Sequence, residues 1–272
     1  MRHSVAIFLL LLFCFCCREV NSEITVTDSF CETSRKKDPI LKVLLVENAT
    51  TVLIESKGPY DLSGNGVYIG TYNQGKRANV HGLYGTLRWG EQLTESKHLV
   101  LTSTEEDGTL FVNGLQYKGS LHIYLAEDNL SLSVVNEISS EDFLRSVLSV
   151  KYLKAVPKEA LSAFVILERT AFYERLLAQA SYDKLWHLRA DQEGYLGYGV
   201  TKRFYGVEEA VDWTMRLILD NPVTLIEPKL KGEIEDKIIR LAAQGFNAKQ
   251  ILEVFYPEVE FMVIDGWDEA VY

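Results

Sequence analysis

The chain has 272 residues, 47% of them apolar, and a formal charge of minus 10 at pH 7. That is enough apolar material for one large core or two smaller ones, and with an ordinary charged fraction it excludes disorder over most of the length. The acidic balance also excludes nucleic-acid recognition through a basic face, which needs clustered lysine and arginine to neutralise phosphates.

Arg2 and His3 precede an apolar run from Val5 to Cys17, and Arg18-Glu19-Val20-Asn21-Ser22 follows it. The run is too short to span a bilayer as a helix. It fits the core of a secretory signal, with Val20 and Ser22 as the small residues before cleavage at about Glu23. Residues 1–22 are therefore expected to be a signal peptide, and the protein to be exported to the periplasm or cell envelope. Membrane attachment is expected only through this leader, uncleaved, or through a lipid anchor on it. Cleavage would remove two arginines and one glutamate, taking the charge from minus 10 to minus 11. Cys14, Cys16 and Cys17 lie in the leader, which leaves Cys31 alone. No internal disulfide and no cysteine-based metal cluster is expected, and Cys31 can pair only with another molecule.

Residues 23–39, which contain the charge run Arg35-Lys36-Lys37-Asp38, read as a solvated linker. From 40 to 138 the signals are those of β structure. Residues 41–46, 51–55, 67–72, 83–89, 99–104, 110–112, 121–125 and 130–134 are aliphatic, β-branched or alternating. Glu47-Asn48-Ala49, Lys57-Gly58-Pro59, Ser63-Gly64-Asn65-Gly66 and Glu127-Asp128-Asn129 punctuate them as turns, which gives about ten short strands. His81, His98 and His122 fall on separate elements with no ligand spacing, so they are read as surface or hairpin residues, and no metal is expected.

The second half, 139–264, is helical and mixed. Ser139 and Ser140 are N-cap candidates, and Glu141 and Asp142 in the first turn complement the positive helix end. Phe143, Leu144, Val147, Leu148 and Val150 then form an apolar arc at about 100° per residue, and Lys151 falls inside it. A second helix is predicted to start at Pro157, whose missing N–H has no partner to lose there. Its arc runs through Ala160, Leu161, Phe164, Val165, Leu167, Ala171 and Phe172, with Glu168 near the middle. Two charges on apolar arcs have two readings. Glu168 could pair with Lys151, Arg169 or Arg175 as a structural tie. Alone in apolar surroundings, it would be a general-acid candidate. Because the two charges lie on the inward arcs of consecutive helices, an ion pair between Lys151 and Glu168 is predicted.

Residues 182–206 are rich in tyrosine and glycine, including Glu193-Gly194-Tyr195-Leu196-Gly197-Tyr198-Gly199. Tyrosine rings stack on sugars and glycine permits close backbone approach, so this stretch is either a carbohydrate-groove lining or an ordinary loop and strand pair. It lacks the lysine and the context of a phosphate loop. Further helices are predicted at 208–219, 234–243 and 248–255, before an acidic tail at 265–272.

Several of these blocks, in this order, resemble the SpoIID/LytB family, the stage II sporulation protein D and amidase-enhancer proteins of bacterial cell walls. Phe111-Val112-Asn113-Gly114-Leu115-Gln116-Tyr117-Lys118-Gly119-Ser120-Leu121 is similar to the family block "ingrrYrGsL". Ser133-Val134-Val135-Asn136-Glu137 with Glu141-Asp142-Phe143-Leu144 resembles "VVNelpLEdYL". Residues 157–170 match "pleALKAQAVAART" at Pro157, Glu159, Ala160, Leu161, Ala163, Val165, Arg169 and Thr170. Residues 242–257 look like "AkqGksyeeILkyYYpG". The resemblance implies an α+β, SpoIID-like fold with a β-rich first half. It also implies a target, the peptidoglycan glycan strands, with a cell-wall amidase or divisome protein as partner and no cofactor. The substrate-binding candidates are Arg169 and Thr170, on the matching helix, with Glu193, Tyr195 and Gly197 from the tyrosine- and glycine-rich stretch.

The chain departs from the family at the chemistry. Active members carry a glutamate that serves as the acid and base of a lytic transglycosylase cleaving glycan strands without stem peptides. At that position this chain has Lys151. A lysine ammonium, with an ordinary pKa of about 10.4, holds its proton, and it sets positive charge beside an oxocarbenium-like transition state. Glu168 stands where the family carries a small residue, so Lys151 and Glu168 are the two catalytic candidates. The cysteine and histidine that bind zinc in some members have no counterpart, and Asp191, Gln192 and Glu193 occupy that neighbourhood. A long insert between Leu219 and Pro228 is reduced to a few residues, and of the block "hGvGMSQyGA" only Gly232 survives. The expectation is a glycan-binding or glycan-remodelling protein with a degenerate catalytic site. Its alternatives are an active lytic transglycosylase and a non-catalytic modulator of a cell-wall amidase.

Overall fold

Side-chain alternation along the first-half strands sorts one face of each toward a shared interior. The structure, a computed structural model, describes residues 38–105, 108–152, 155–179, 185–203, 205–220, 232–257 and 260–264. The signal peptide, nearly all of the linker and the acidic tail predicted above lie outside these residues. Among the described residues twelve strands precede the helices: β1 (Ile40–Ala49), β2 (Thr51–Ser56), β3 (Tyr60–Gly64), β4 (Val67–Tyr72), β5 (Lys76–Leu83), β6 (Thr86–Trp89), β7 (Gln92–Leu93), β8 (His98–Ser103), β9 (Thr109–Val112), β10 (Leu115–Lys118), β11 (Ser120–Leu125) and β12 (Leu132–Ser139). The second half holds α1 (Ser140–Lys151), α2 (Lys158–Gln179), β13 (Leu188–Arg189), α3 (Ala190–Glu193), a 3-10 helix (Tyr198–Arg203), α4 (Tyr205–Trp213), β14 (Leu217–Leu219), α5 (Gly232–Ala243), α6 (Ala248–Phe255) and β15 (Phe261–Val263). The fold is α+β, with a β-rich first half and a helical second half.

One sheet has the order β13-β1-β12-β11-β8-β3-β4, a second β10-β9-β2-β5-β6-β7, and β14 and β15 form a separate pair. Period-two patterns such as Leu99 and Leu101 on β8, Leu121 and Ile123 on β11, and Val52 and Ile54 on β2 place these side chains in one core with Trp89 and Tyr60. A second apolar cluster lies among the helices and includes Leu148, Phe164, Val211, Ile238 and Leu252. Helices α1 and α2 belong to both. Phe143 and Phe172 stack at 5.2 Å in the first core, while Leu144 and Phe164 belong to the second.

Several sequence expectations are corrected. Residues 47–49 do not turn: β1 runs to Ala49 through two register shifts against β12, with Asn48 in the left-handed region at φ 52° that asparagine tolerates. The single strand expected at 83–89 is a hairpin, because Tyr84 (φ 51°) and Gly85 (φ 82°) form a two-residue turn that pairs Leu83 with Thr86. The helix expected at 208–219 ends at Trp213. Arg216 adopts a φ of 61°, and residues 217–219 leave to pair with β15, with Leu217 opposite Val263. Pro157 lies one residue before α2 and supplies the carbonyl that accepts from the Leu161 N–H at 3.0 Å. Ser139 caps α1 as predicted, its hydroxyl accepting from the Asp142 N–H. Lys151 does not lie in an apolar interior. It is the last residue of α1, and its side chain is 36% exposed.

Candidate functional site

Helix α2 presents Glu168 and Arg175 two turns apart on one face. Each finds an opposite charge on another element: Lys151 at the end of α1 donates to Glu168, and the Arg175 guanidinium lies 3.0 Å from Glu193 of α3. The two pairs share a field. Burial pushes the Glu193 carboxyl above its ordinary range, Arg175 opposes that rise, and the negative charge of Glu168 adds to it. The result is a network of two carboxylates and two cations in which Lys151 and Glu168 are coupled, as predicted. What the network can do is bind polar ligands through alternating charge, or pass a proton at Glu193, whose carboxyl burial raises above its ordinary range.

The remaining candidates fall elsewhere. Arg169 is 1% exposed, and its Nε and Nη2 donate to the two carboxylate oxygens of Glu141 at 2.9 and 2.7 Å. Its Nη1 donates to the carbonyls of Thr214 and Leu217. Thr170 is also internal: its hydroxyl donates to the Ile166 carbonyl and accepts from the Leu219 N–H. Together they tie α2 to α1 and β14 inside the protein. Tyr195 is buried, its ring against Tyr117 and Phe143, and burial raises its hydroxyl well above the usual tyrosine range. That hydroxyl donates to Asn136 at 2.7 Å. Its ring face is therefore not offered to a sugar. Gly197 approaches β10 so closely, at φ 80°, that a Cβ there would lie 2.3 Å from the Gln116 carbonyl oxygen, and its own carbonyl accepts from Ser146 at 2.5 Å. The tyrosine-glycine stretch thus docks along α1 as packing, with Glu193 at its start on the charged network.

Two contributions were missed from sequence. Asn136 is fully buried, accepts from Tyr195, and donates to the carbonyls of Lys118 and Ser120, which fixes the β10–β11 corner. A lone asparagine within an apolar strand was the available signal. Nothing in the local sequence of Glu141 marks Arg169 as its partner. His98 and His122, on separate elements in sequence, are brought together across β8 and β11: His98 Nε2 and His122 Nδ1 are 3.1 Å apart, and Glu137 lies 3.3 Å from His122. Among the described residues no group of three or more histidine, cysteine, aspartate or glutamate side chains is arranged to hold a metal ion. Among the described residues, too, no helix is long and apolar enough to cross a membrane.

Comparison with known proteins gives a family match and distinct relatives. The family model SpoIID, stage II sporulation protein, matches residues 128–220, a span that runs from the β11–β12 turn to just past β14 and contains Lys151, Glu168 and Glu193. An uncharacterized protein of Chlamydia pneumoniae is 49% identical over 250 residues, covering 92% of this chain and 91% of the relative. Another of Chlamydia muridarum is 47% identical over 261 residues, covering 96% and 90%. A third, of Brachyspira hyodysenteriae, is 29% identical over 189 residues, covering 64% and 46%. No solved structure matches the chain.

Proposed function

Because the chain belongs to the SpoIID (stage II sporulation protein) family, we propose that it works on the cell wall, as an exported protein that binds or remodels peptidoglycan glycan strands. The observation that carries this reading is the charged network of Lys151, Glu168, Glu193 and Arg175, built where α1, α2 and α3 converge within the matched region. A glycan strand offers hydroxyl and amide groups that alternating carboxylates and cations satisfy as hydrogen-bond acceptors and donors. Binding without cleavage is favoured because an ammonium occupies the place of the family's catalytic carboxylate and neutralises Glu168. A second reading, cleavage of strands lacking stem peptides, is favoured by Glu193, whose raised pKa suits a proton donor.

The test incubates the purified full chain with insoluble glycan strands, with and without stem peptides. Sedimentation reads binding and mass spectrometry reads anhydro-muramyl ends. Co-sedimentation without new anhydro ends is expected. Anhydro ends lost on Glu193→Gln would replace the binding reading with the catalytic one, and failure to sediment with either preparation would remove both.

A further inference from the structure

The face of the larger sheet turned away from the core carries a row of polar side chains that the glycan reading does not use. Period-two alternation puts His98 of β8, His122 and Tyr124 of β11, Glu137 of β12 and Lys42 of β1 on this face, while Leu99, Leu101, Leu121 and Ile123 point into the core. The register gathers them. Tyr124 is directly opposite His98, and His122, opposite Val100, is one diagonal step from His98. The His98 and Tyr124 rings stack with centroids 4.2 Å apart and planes within 8°. Three donors converge at His122: its Nδ1 lies 3.1 Å from His98 Nε2 and 3.4 Å from the Tyr124 hydroxyl oxygen.

These spacings fit a chelate. Donor atoms that each bind one transition ion at about 2.0–2.1 Å stand about 2.8–3.4 Å from one another. A supporting carboxylate is also in place. Glu137 lies 3.3 Å from His122 Nε2, which favours the tautomer protonated there and leaves the Nδ1 lone pair directed at the other donors. Burial, His122 and Lys42 lower His98 to about 4, so its ring is neutral at pH 7. Lys42 is opposite Glu137 in the register, which offsets its charge. An ion would replace the contact between the two rings, with His98 carrying its proton on Nδ1 instead of Nε2, so the pair releases no proton. Burial and Glu137 raise the Tyr124 phenol, which therefore enters as a neutral and weaker donor. His98, His122 and Tyr124 are all half-buried, so an ion can arrive from solvent and keep water at its open positions. Two imidazoles suit Zn2+, Ni2+ and Cu2+, whereas Mg2+ and Ca2+ take oxygen ligands.

We propose that His98, His122 and Tyr124 form a binding site for one divalent transition ion of the Zn2+ and Cu2+ class, with Glu137 orienting His122 from behind. The three ligands lie outside the family-matched span 128–220 and share no residue with the charged network. They also lie apart from Asp191, Gln192 and Glu193, which occupy the neighbourhood of the zinc ligands of some SpoIID/LytB members.

The experiment titrates Zn2+ into the full chain, its thiols alkylated with iodoacetamide so that cysteines do not compete. Calorimetry reads affinity, and the ring nitrogen shifts of 15N-histidine read the ligands. Coordination shifts are expected at His98 Nε2 and His122 Nδ1 and not at His81, on the other sheet. Cu2+ should displace the Zn2+, and Mg2+ should not. His98→Gln and His122→Gln should each lower affinity at least about tenfold, Glu137→Gln about tenfold, and Tyr124→Phe by a smaller factor. His81→Gln should leave it unchanged. Affinity untouched by both His98→Gln and His122→Gln, or lowered as much by His81→Gln, would overturn the proposal. So would wild-type protein in which Zn2+ moves neither ring of the pair, a result that stands whether or not any variant folds.

Discussion

Helices α1 and α2 are tied by two ion pairs that differ in almost everything except their chemistry. Glu141 and Arg169 are 2% and 1% exposed, and the bidentate contact is supported by carbonyls of Thr214 and Leu217. Lys151 and Glu168 are 36% and 22% exposed and meet through one oxygen. In the first pair each partner depends on the other, since an unpaired buried charge costs several kcal/mol. In the second, water and salt can replace either partner, and a semi-exposed pair contributes roughly 0–1 kcal/mol. The internal pair therefore ties α1 to α2 inside the protein, and the outer pair stays open to solvent. The same logic explains why the family-like Arg169 is structural here, whereas the atypical Lys151 lies on the candidate site.

Breaking the comparison begins with the buried pair. Glu141→Ala should cost about 3–5 kcal/mol in urea unfolding, because Arg169 keeps its burial and loses its carboxylate. A loss below about 1 kcal/mol would mean that water enters the pair and the contrast fails. Next comes the half-buried chain on the outer side of the larger sheet. Burial, the neighbouring His122 and Lys42 push His98 down to about 4, and it faces Tyr124 and, through His122, Glu137. The folded state thus prefers neutral His98, while the unfolded chain takes up a proton near pH 6.5. Stability is full above that value and lost as pH falls from about 6.5 toward 4, by roughly 2 kcal/mol after allowance for solvent screening. His98→Gln should flatten the melting temperature between pH 6.5 and 4.5, and an unchanged pH slope would show that other groups carry it.

A neutral buried contact should fall below both. Tyr195→Phe leaves the Asn136 oxygen without its donor and is expected to lower stability by about 1–2 kcal/mol, read by thermal unfolding. The smallest effect belongs to the outer pair. Lys151→Met should change stability by no more than about 1 kcal/mol and shrink further in high salt. A loss comparable to that of Glu141→Ala would make the outer pair as structural as the inner one.

Much of the architecture was legible because it is written in local periods. The cap at Ser139, the apolar arcs of α1 and α2, and strands such as β4 and β8 follow from spacing and turn chemistry within a few residues. What failed was decided by distant partners. Residues 217–219 read as helix until β15 supplies hydrogen-bonding partners, and β12 extends to Ser139 because β1 pairs with it as far as Ile40 opposite Ser139. The site was half legible. The pairing of Lys151 with Glu168 could be argued from two adjacent helices, whereas the convergence of Glu193 and Arg175 with them required α3 to be carried back to α2 by the parallel β13–β1 contact.

By itself the sequence determined the α+β division, the order of the main elements and the family resemblance. These depend on residue identity and short-range periodicity, which need no neighbour to express them. Only the tertiary structure decided which charges are internal and which are exposed, that Tyr195 packs inward, and that His98 and His122 touch. The physical reason is that burial and pairing belong to contacts between residues far apart in the chain, as with Glu141 and Arg169, so no local pattern encodes them.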